Sequence, residues 1–255
     1  SISAPSAAVT KSGPVTYTVT YDGADTVSLT NADVTLHKTG TANGTVAVSG
    51  TGTTTRTVTI DSISGTGTLG ISIAAGTASD DAGNNAGAAG PSETFSADNT
   101  VPWIYSFNIS PPMAAVGDPI HVTVDTTDNS GVATVTANST PLTNSSGNKW
   151  TGDILAVDPR GTHEVTVTVT DVVGNSITSV ARTYKTVGVF SAVTSSAWQL
   201  PTLNAAESYL FKFYGTVAEI DDDNFSLGDG SARPITVHAP GYKVKVLSGD
   251  RAVVK

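Results

Sequence analysis

The sequence predicts an all-β protein with more than one core, and three observations carry that expectation. Apolar and polar residues alternate with a period of two in VTYTVTY (15–21), TRTVTI (55–60), HVTVD (121–125), VATV (132–135) and EVTVTVT (164–170), the mark of half-buried strands. Thr, Ser, Val, Gly and Ala dominate, only 14% of residues are charged, and no long stretch repeats apolar residues at helical spacing, a composition suited to pleated surfaces. Clusters of Gly, Asn, Asp, Ser and Pro separate the strands at short intervals, as the turns of a sandwich do. At 255 residues the chain exceeds the length of one typical domain, about 100 to 200 residues.

The strands fall into groups. SADNTVP (96–102) and YKTVGVFSAV (184–193) divide the pattern into residues 1–100, residues 101–186 and a remainder. Residues 1–100, from VTYTVTYDGADTVSLTNADVTL through GTLGISIAAGTASDDAGNNAG to FSADNT, resemble one bacterial Ig-like repeat of the kind strung in tandem along prokaryotic surface proteins. Residues 101–186 resemble a second Ig-like type through TDNSGVATVTANSTPLT, the Trp150-x-Gly152 pair and GTHEVTVTVTDVVGNS. Residues 187–208 read as an apolar linker. Residues 209–255 are similar to the start of a small OB-like barrel, with about four strands countable where such a barrel needs five. The resemblance implies two Ig-like β-sandwiches in tandem plus a C-terminal OB-like β-barrel, and modules that act as spacers, assembly units or adhesin stalks.

Charge narrows the partners. A net charge of −9, with 13 Lys and Arg spread thinly, argues against nucleic acid and anionic membrane surfaces, which require clustered cations. In the OB-like part, six Lys and Arg face seven Asp and Glu from residue 191 onward, and the aromatics Tyr209, Phe211 and Phe213 share one strand face, so a stacking platform lacks its basic groove. There is no Cys, which removes thiol catalysis, thiolate metal sites and disulfides. No stretch of apolar residues reaches the length of about 18 that spans a bilayer. With no signal peptide at Ser1, the chain reads as a mature or truncated portion of something longer.

The segment TASDDAGNNAG (77–87) poses the functional question. In an Ig-like sandwich the B to C and F to G loops share a pole with the start of the first strand. That construction gathers Asp125, Asp128 and Asn129 of DTTDNSG, Asp171 and Asn175 of DVVGN, and Asp98 and Asn99 of the entering ADNT. In the first unit it brings Asp22 and Asp25 towards Asp80, Asp81 and Asn84. Calcium takes about six to eight oxygen ligands without strict geometry, so each pole is a candidate Ca2+ site, resembling only loosely the interdomain sites of cadherins. The competing reading is a tight turn, in which Asp and Asn bond to nearby backbone and Gly83 or Gly174 takes a positive φ.

Other signals have plainer readings. GTGTLG (65–70) has the spacing of a dinucleotide-binding loop but runs into ISIAAG, a strand, where that motif must open a helix. DDDN (221–224) sits at a hairpin turn and lacks the Gly and Glu of an EF-hand loop. His37, His121, His163 and His238 are scattered and share no metal-ligand spacing. No nucleophile elbow or Ser-His-acid set can be placed, so no enzyme is expected. Trp103, Tyr105 and Phe107 alternate on one strand face and are expected, with Trp150, in a core. Asn43, Asn108, Asn138, Asn144 and Asn224 head glycosylation sequons, which would suit a glycosylated surface layer or sheath. VGVFSAVTSSAWQLPTL (187–203) carries too many apolar residues for a free spacer. Either it packs within the chain, or it docks on another copy at a sheet edge. The expectation is thus a non-enzymatic extracellular structural protein of the cell surface, a self-assembling protomer of a layer, sheath or filament. The alternative is the stalk of a cell-surface adhesin with calcium-rigidified Ig-like repeats.

Overall fold

The computed structural model describes residues 1–191 and, beyond them, the backbone of six further strands between Tyr209 and Val254; side chains are described through Val187. The protein is all-β. Its described helical structure is a single 3-10 turn at Asn31–Asp33, where the Asp33 carboxylate accepts from Thr30 N–H at 2.8 Å and from the Thr30 hydroxyl at 2.7 Å. No described helix is long and apolar enough to cross a membrane.

The first run of strands makes two layers. Val15–Thr20, Thr55–Ser64 and Asn43–Ser49 form an antiparallel three-stranded sheet, with Val15 opposite Ile60 and Tyr17 opposite Val58. Val9–Thr10, Phe95–Ala97, Gly67–Ile73 and Val34–Lys38 form the second, in which the short first strand runs parallel to Phe95–Ala97. Period-two alternation sends Val15, Tyr17 and Val19 inward and leaves Thr16, Thr18 and Thr20 outside. They meet Leu69, Ile71, Ile73 and Phe95 of the other sheet in one core. Tyr17 packs beside Phe95 with ring centroids 6.5 Å apart, and its hydroxyl donates to Glu93 O at 2.9 Å. Gly67–Ile73 is a strand, so GTGTLG is a β connection and not a phosphate loop.

In the second run, Trp103–Ser110, Pro119–Thr127, Lys149–Leu155 and Thr143–Ser146 make one sheet, and Thr140–Pro141, Val132–Ala137, Val167–Asp171 and Ser176–Thr178 another. Met113–Ala115 pairs in parallel with Arg182–Ser191, which also pairs with Gly161–Val165. Phe107, Ile120, Val122, Val124, Val135, Trp150, Val165 and Val167 are buried here. Trp103 and Tyr105 are not: they are 66% and 64% exposed. They alternate with Phe107 as expected, but they lie at the start of an edge strand, and only the Phe107 end of that face is covered.

Strand Arg182–Ser191 continues past residue 186 and pairs in parallel with Tyr209–Lys212, so residues 187–191 belong to a sheet; residues 192–203 of the apolar segment lie outside the described residues. Six strands run from Tyr209 onward where about four were countable, because the stretch from Tyr209 to Asp221 holds two strands and the stretch after Gly228 holds three, Ile235–His238, Val244–Leu247 and Arg251–Val254. They form two ladders, and no barrel is closed among the described residues. As compact bodies the chain divides into Ser1–Ile104 with Thr126–Thr134 and Val169–Ile177, and Tyr105–Asp125 with Val135–Thr168 and Thr178–Lys255.

Candidate functional site

Loop Thr126–Thr134 and turn Val169–Ile177 belong to the first compact unit, and so does Asp98. The chain reaches Asp98 from strand Phe95–Ala97, and its N–H donates to Thr10 O at 2.9 Å, which carries the residue inward just after buried Ala97. Asp98 is 0% exposed. Its Oδ1 accepts from Thr100 N–H at 2.9 Å, while its Oδ2 is buried and has no hydrogen-bond partner.

Asp171 and Asn175 arrive on the turn that closes Val167–Asp171. Asp171 N–H donates to Asn175 O at 3.0 Å, Gly174 takes φ +90, and Asp171 Oδ1 accepts from the N–H groups of Val173 at 2.9 Å and Asn175 at 2.8 Å. Asn175, also buried, donates its amide to Asp171 Oδ2 at 2.7 Å and to Asp98 O at 3.0 Å. The third acid, Asp128, is half-buried, and its Oδ1 accepts from the N–H and the hydroxyl of Ser130, each at 2.8 Å. Val172 N–H donates to Gly131 O at 3.1 Å and joins the two turns. The outcome is one carboxylate oxygen from each of Asp98, Asp128 and Asp171, all within 4.8 Å of one another.

The electrostatics of this group are unbalanced. Among the described residues no Lys, Arg or His stands within ion-pairing distance of the three acids; Lys11 reaches Gly174 O, at 3.5 Å. Burial pushes the Asp98 carboxyl up, but the polar groups of Ser130, Thr100 N–H, Asn129 and Asp128 more than offset this and hold it below its ordinary value. None of those side chains meets Asp98 Oδ2 in hydrogen-bonding geometry. Two unit charges about 5 Å apart repel by roughly 3 kcal/mol at an effective dielectric of about 20.

Of the residues singled out in the sequence for this pole, Asp98, Asp128, Asp171 and Asn175 come together. Asn99 turns away: its amide donates to Lys11 O at 2.9 Å and Gly65 O at 3.0 Å. Asp125 accepts from the Ser106 hydroxyl at 2.6 Å. Ser130, Thr100 and Lys11 belong to the site and were not anticipated. Ser130 and Thr100 had a signal, because an Asp-x-Ser or Asp-x-Thr step is prone to side-chain-to-backbone turns; Lys11 had none.

The first pole is built otherwise. Asp80 Oδ1 and Oδ2 accept from Asn84 N–H and from its amide, both at 2.8 Å, and Asp80 N–H donates to Asn84 O at 3.1 Å. Asp25 Oδ2 accepts from Asp81 N–H at 2.7 Å. Asp22 is exposed on the rim of an open cleft of about 440 Å³ that Asp80 and Asn84 also line. Among the described residues no three acids there lie within mutual ligand distance.

The histidines stand apart. His37 contacts the Ser72 hydroxyl at 2.7 Å, His121 the Asp153 carboxylate at 2.8 Å, and His163 stacks on Tyr184 at 5.3 Å. Asn43, Asn108, Asn138 and Asn144 are exposed, though Asn138 and Asn144 use their amides on Glu164 O and Gly147 O; the side chain of Asn224 lies outside the described residues.

No family model matches this chain. No curated protein matches it either. Among solved structures it is similar to SGBP-B of the Bacteroides ovatus mixed-linkage glucan utilization locus, solved in complex with a mixed-linkage heptasaccharide, at 13% identity and a TM-score of 0.21. The match covers 69% of this chain and 54% of that protein, so the chain spans about half of its length. A likeness this loose carries no functional argument.

Proposed function

We infer that this chain is a non-enzymatic structural segment of an extracellular cell-surface protein, a stalk-like spacer. One observation carries this reading: the stretch that leads from the first run of strands into the second is fastened along its length and is not a tether. Asp98 N–H holds Thr10 O, Asn99 spans Lys11 O and Gly65 O, the Thr66 and Thr100 hydroxyls meet at 2.8 Å, and Asn175 closes on Asp98 O. A flexible linker leaves such groups to water; residues 98–100 spend theirs on partners within the first compact unit. The exposed sequon asparagines Asn43, Asn108, Asn138 and Asn144 suit the same setting.

A second reading, a self-assembling protomer of a layer, sheath or filament, is favoured by Trp103 and Tyr105, large aromatics left bare on an edge strand that a neighbouring copy would cover. Negative-stain electron microscopy of the purified chain separates the two. Dispersed, elongated particles of uniform outline are expected for a spacer. Ordered sheets or filaments would replace that reading with the second, and particles kinked at random near residue 100 would sink both.

A further inference from the structure

We propose that Asp98, Asp128 and Asp171 hold one calcium ion. The first ground is the partnerless oxygen. A carboxylate oxygen shut away from water and from every donor is a costly arrangement, and Asp98 Oδ2 is in that state on a side chain that faces two further carboxylates. A cation supplies the missing partner and the missing positive charge together.

The second ground is size. Calcium binds oxygen at about 2.3 to 2.6 Å, so two ligands of one ion stand at most about 5 Å apart; magnesium, at about 2.0 to 2.1 Å, allows only about 4.2 Å. The three oxygens lie within 4.8 Å of one another, inside the calcium limit, and calcium's tolerance of irregular geometry, against magnesium's demand for a near-ideal octahedron, favours it here. The third ground is donor chemistry, since an all-oxygen set with no imidazole or thiolate selects a hard cation over zinc or copper. The half-buried Asp128 leaves one side open to solvent, from which water completes the shell.

The roles divide cleanly. Asn175 spends its amide hydrogens on Asp171 Oδ2 and Asp98 O, so it positions the acids of the site. Thr100 and Ser130 fix Asp98 and Asp128 in the same way. The site stands on this geometry whether the chain is a spacer or a protomer.

The test is calorimetric titration of the 255-residue chain, stripped with EGTA, using calcium chloride alone, with melting curves recorded in parallel. One ion is expected to bind with a dissociation constant near the range of extracellular modules, about 0.1 to 1 mM, and to raise Tm. Asp128→Asn, a half-buried change chosen because it spares the fold, should weaken binding at least about tenfold while the calcium-free circular dichroism stays as in the parent. Asp80→Asn, at the other pole, should bind as the parent does. The proposal is overturned if the folded parent binds no calcium at about ten times that concentration. It is equally overturned if Asp128→Asn binds undiminished, or if Asp80→Asn is the variant that loses the ion.

Discussion

Two five-residue turns in this protein are near copies. Asp80-Asp81-Ala82-Gly83-Asn84 and Asp171-Val172-Val173-Gly174-Asn175 share the spacing Asp-x-x-Gly-Asn, and each closes with the same hydrogen bonds from asparagine to aspartate. Gly83 and Gly174 take φ of +84 and +90. Yet Asn84 is exposed while Asn175 is 3% exposed, with Asp98 and Asp128 beside it. Local sequence therefore writes the turn, and the surroundings decide whether the turn is also a site.

That comparison can be broken in several ways. The largest difference should appear in Asn175→Ala against Asn84→Ala, both measured by urea unfolding in EGTA. Losing Asn175 strands a buried carboxylate oxygen and a buried carbonyl, at a cost of about 2 to 4 kcal/mol, whereas the exposed Asn84 should cost less than about 1. Equal losses would mean that burial adds nothing to the second turn. Next in size, Gly83→Ala and Gly174→Ala should each cost about 1 kcal/mol, since an added Cβ meets nothing within 4 Å at either place and only the backbone conformation resists it. A clear inequality there would show that the turns differ locally after all.

The smallest effect is in acid. Hydrogen bonds from the Asn84 side chain and backbone hold the Asp80 carboxyl below its ordinary value of 3.8. A depressed folded value means that the contribution is present above 3.8 and is lost as pH falls through the lower folded value. Asp80→Asn should therefore flatten the decline in stability below about pH 4, and an unchanged acid limb would contradict the assignment.

How far the sequence could be read follows from the same contrast. Alternation marked VTYTVTY (15–21) and HVTVD (121–125), which fall in strands Val15–Thr20 and Pro119–Thr127, because a period of two is a local property of the chain. Sandwich connectivity brought Asp98, Asp128 and Asp171 to one place, since it dictates which loops share an end. It could not rank the two poles, which carry the same turn and similar acids. It also missed Lys11, whose contact with Gly174 spans 163 positions, and it sent Trp103 inward, because alternation tells which face a residue takes but not whether anything covers that face. Asp98 is buried next to buried Ala97, against alternation, so no pattern announced its depth.

The short parallel pairing of Val9–Thr10 with Phe95–Ala97 has a mechanical consequence. The first and last strands of this sandwich lie side by side and point the same way, joined by Ser96 N–H to Ala8 O and Asp98 N–H to Thr10 O, both at 2.9 Å. Residues 1–6 are bonded separately to Val15–Thr20, and tension that passes them to Val9 and pulls on the segment after Asp98 slides these strands along each other and does not peel them apart. Both bonds then bear the force at once, so the chain yields only when they rupture together, and Asp98 sits at the end of that clamp.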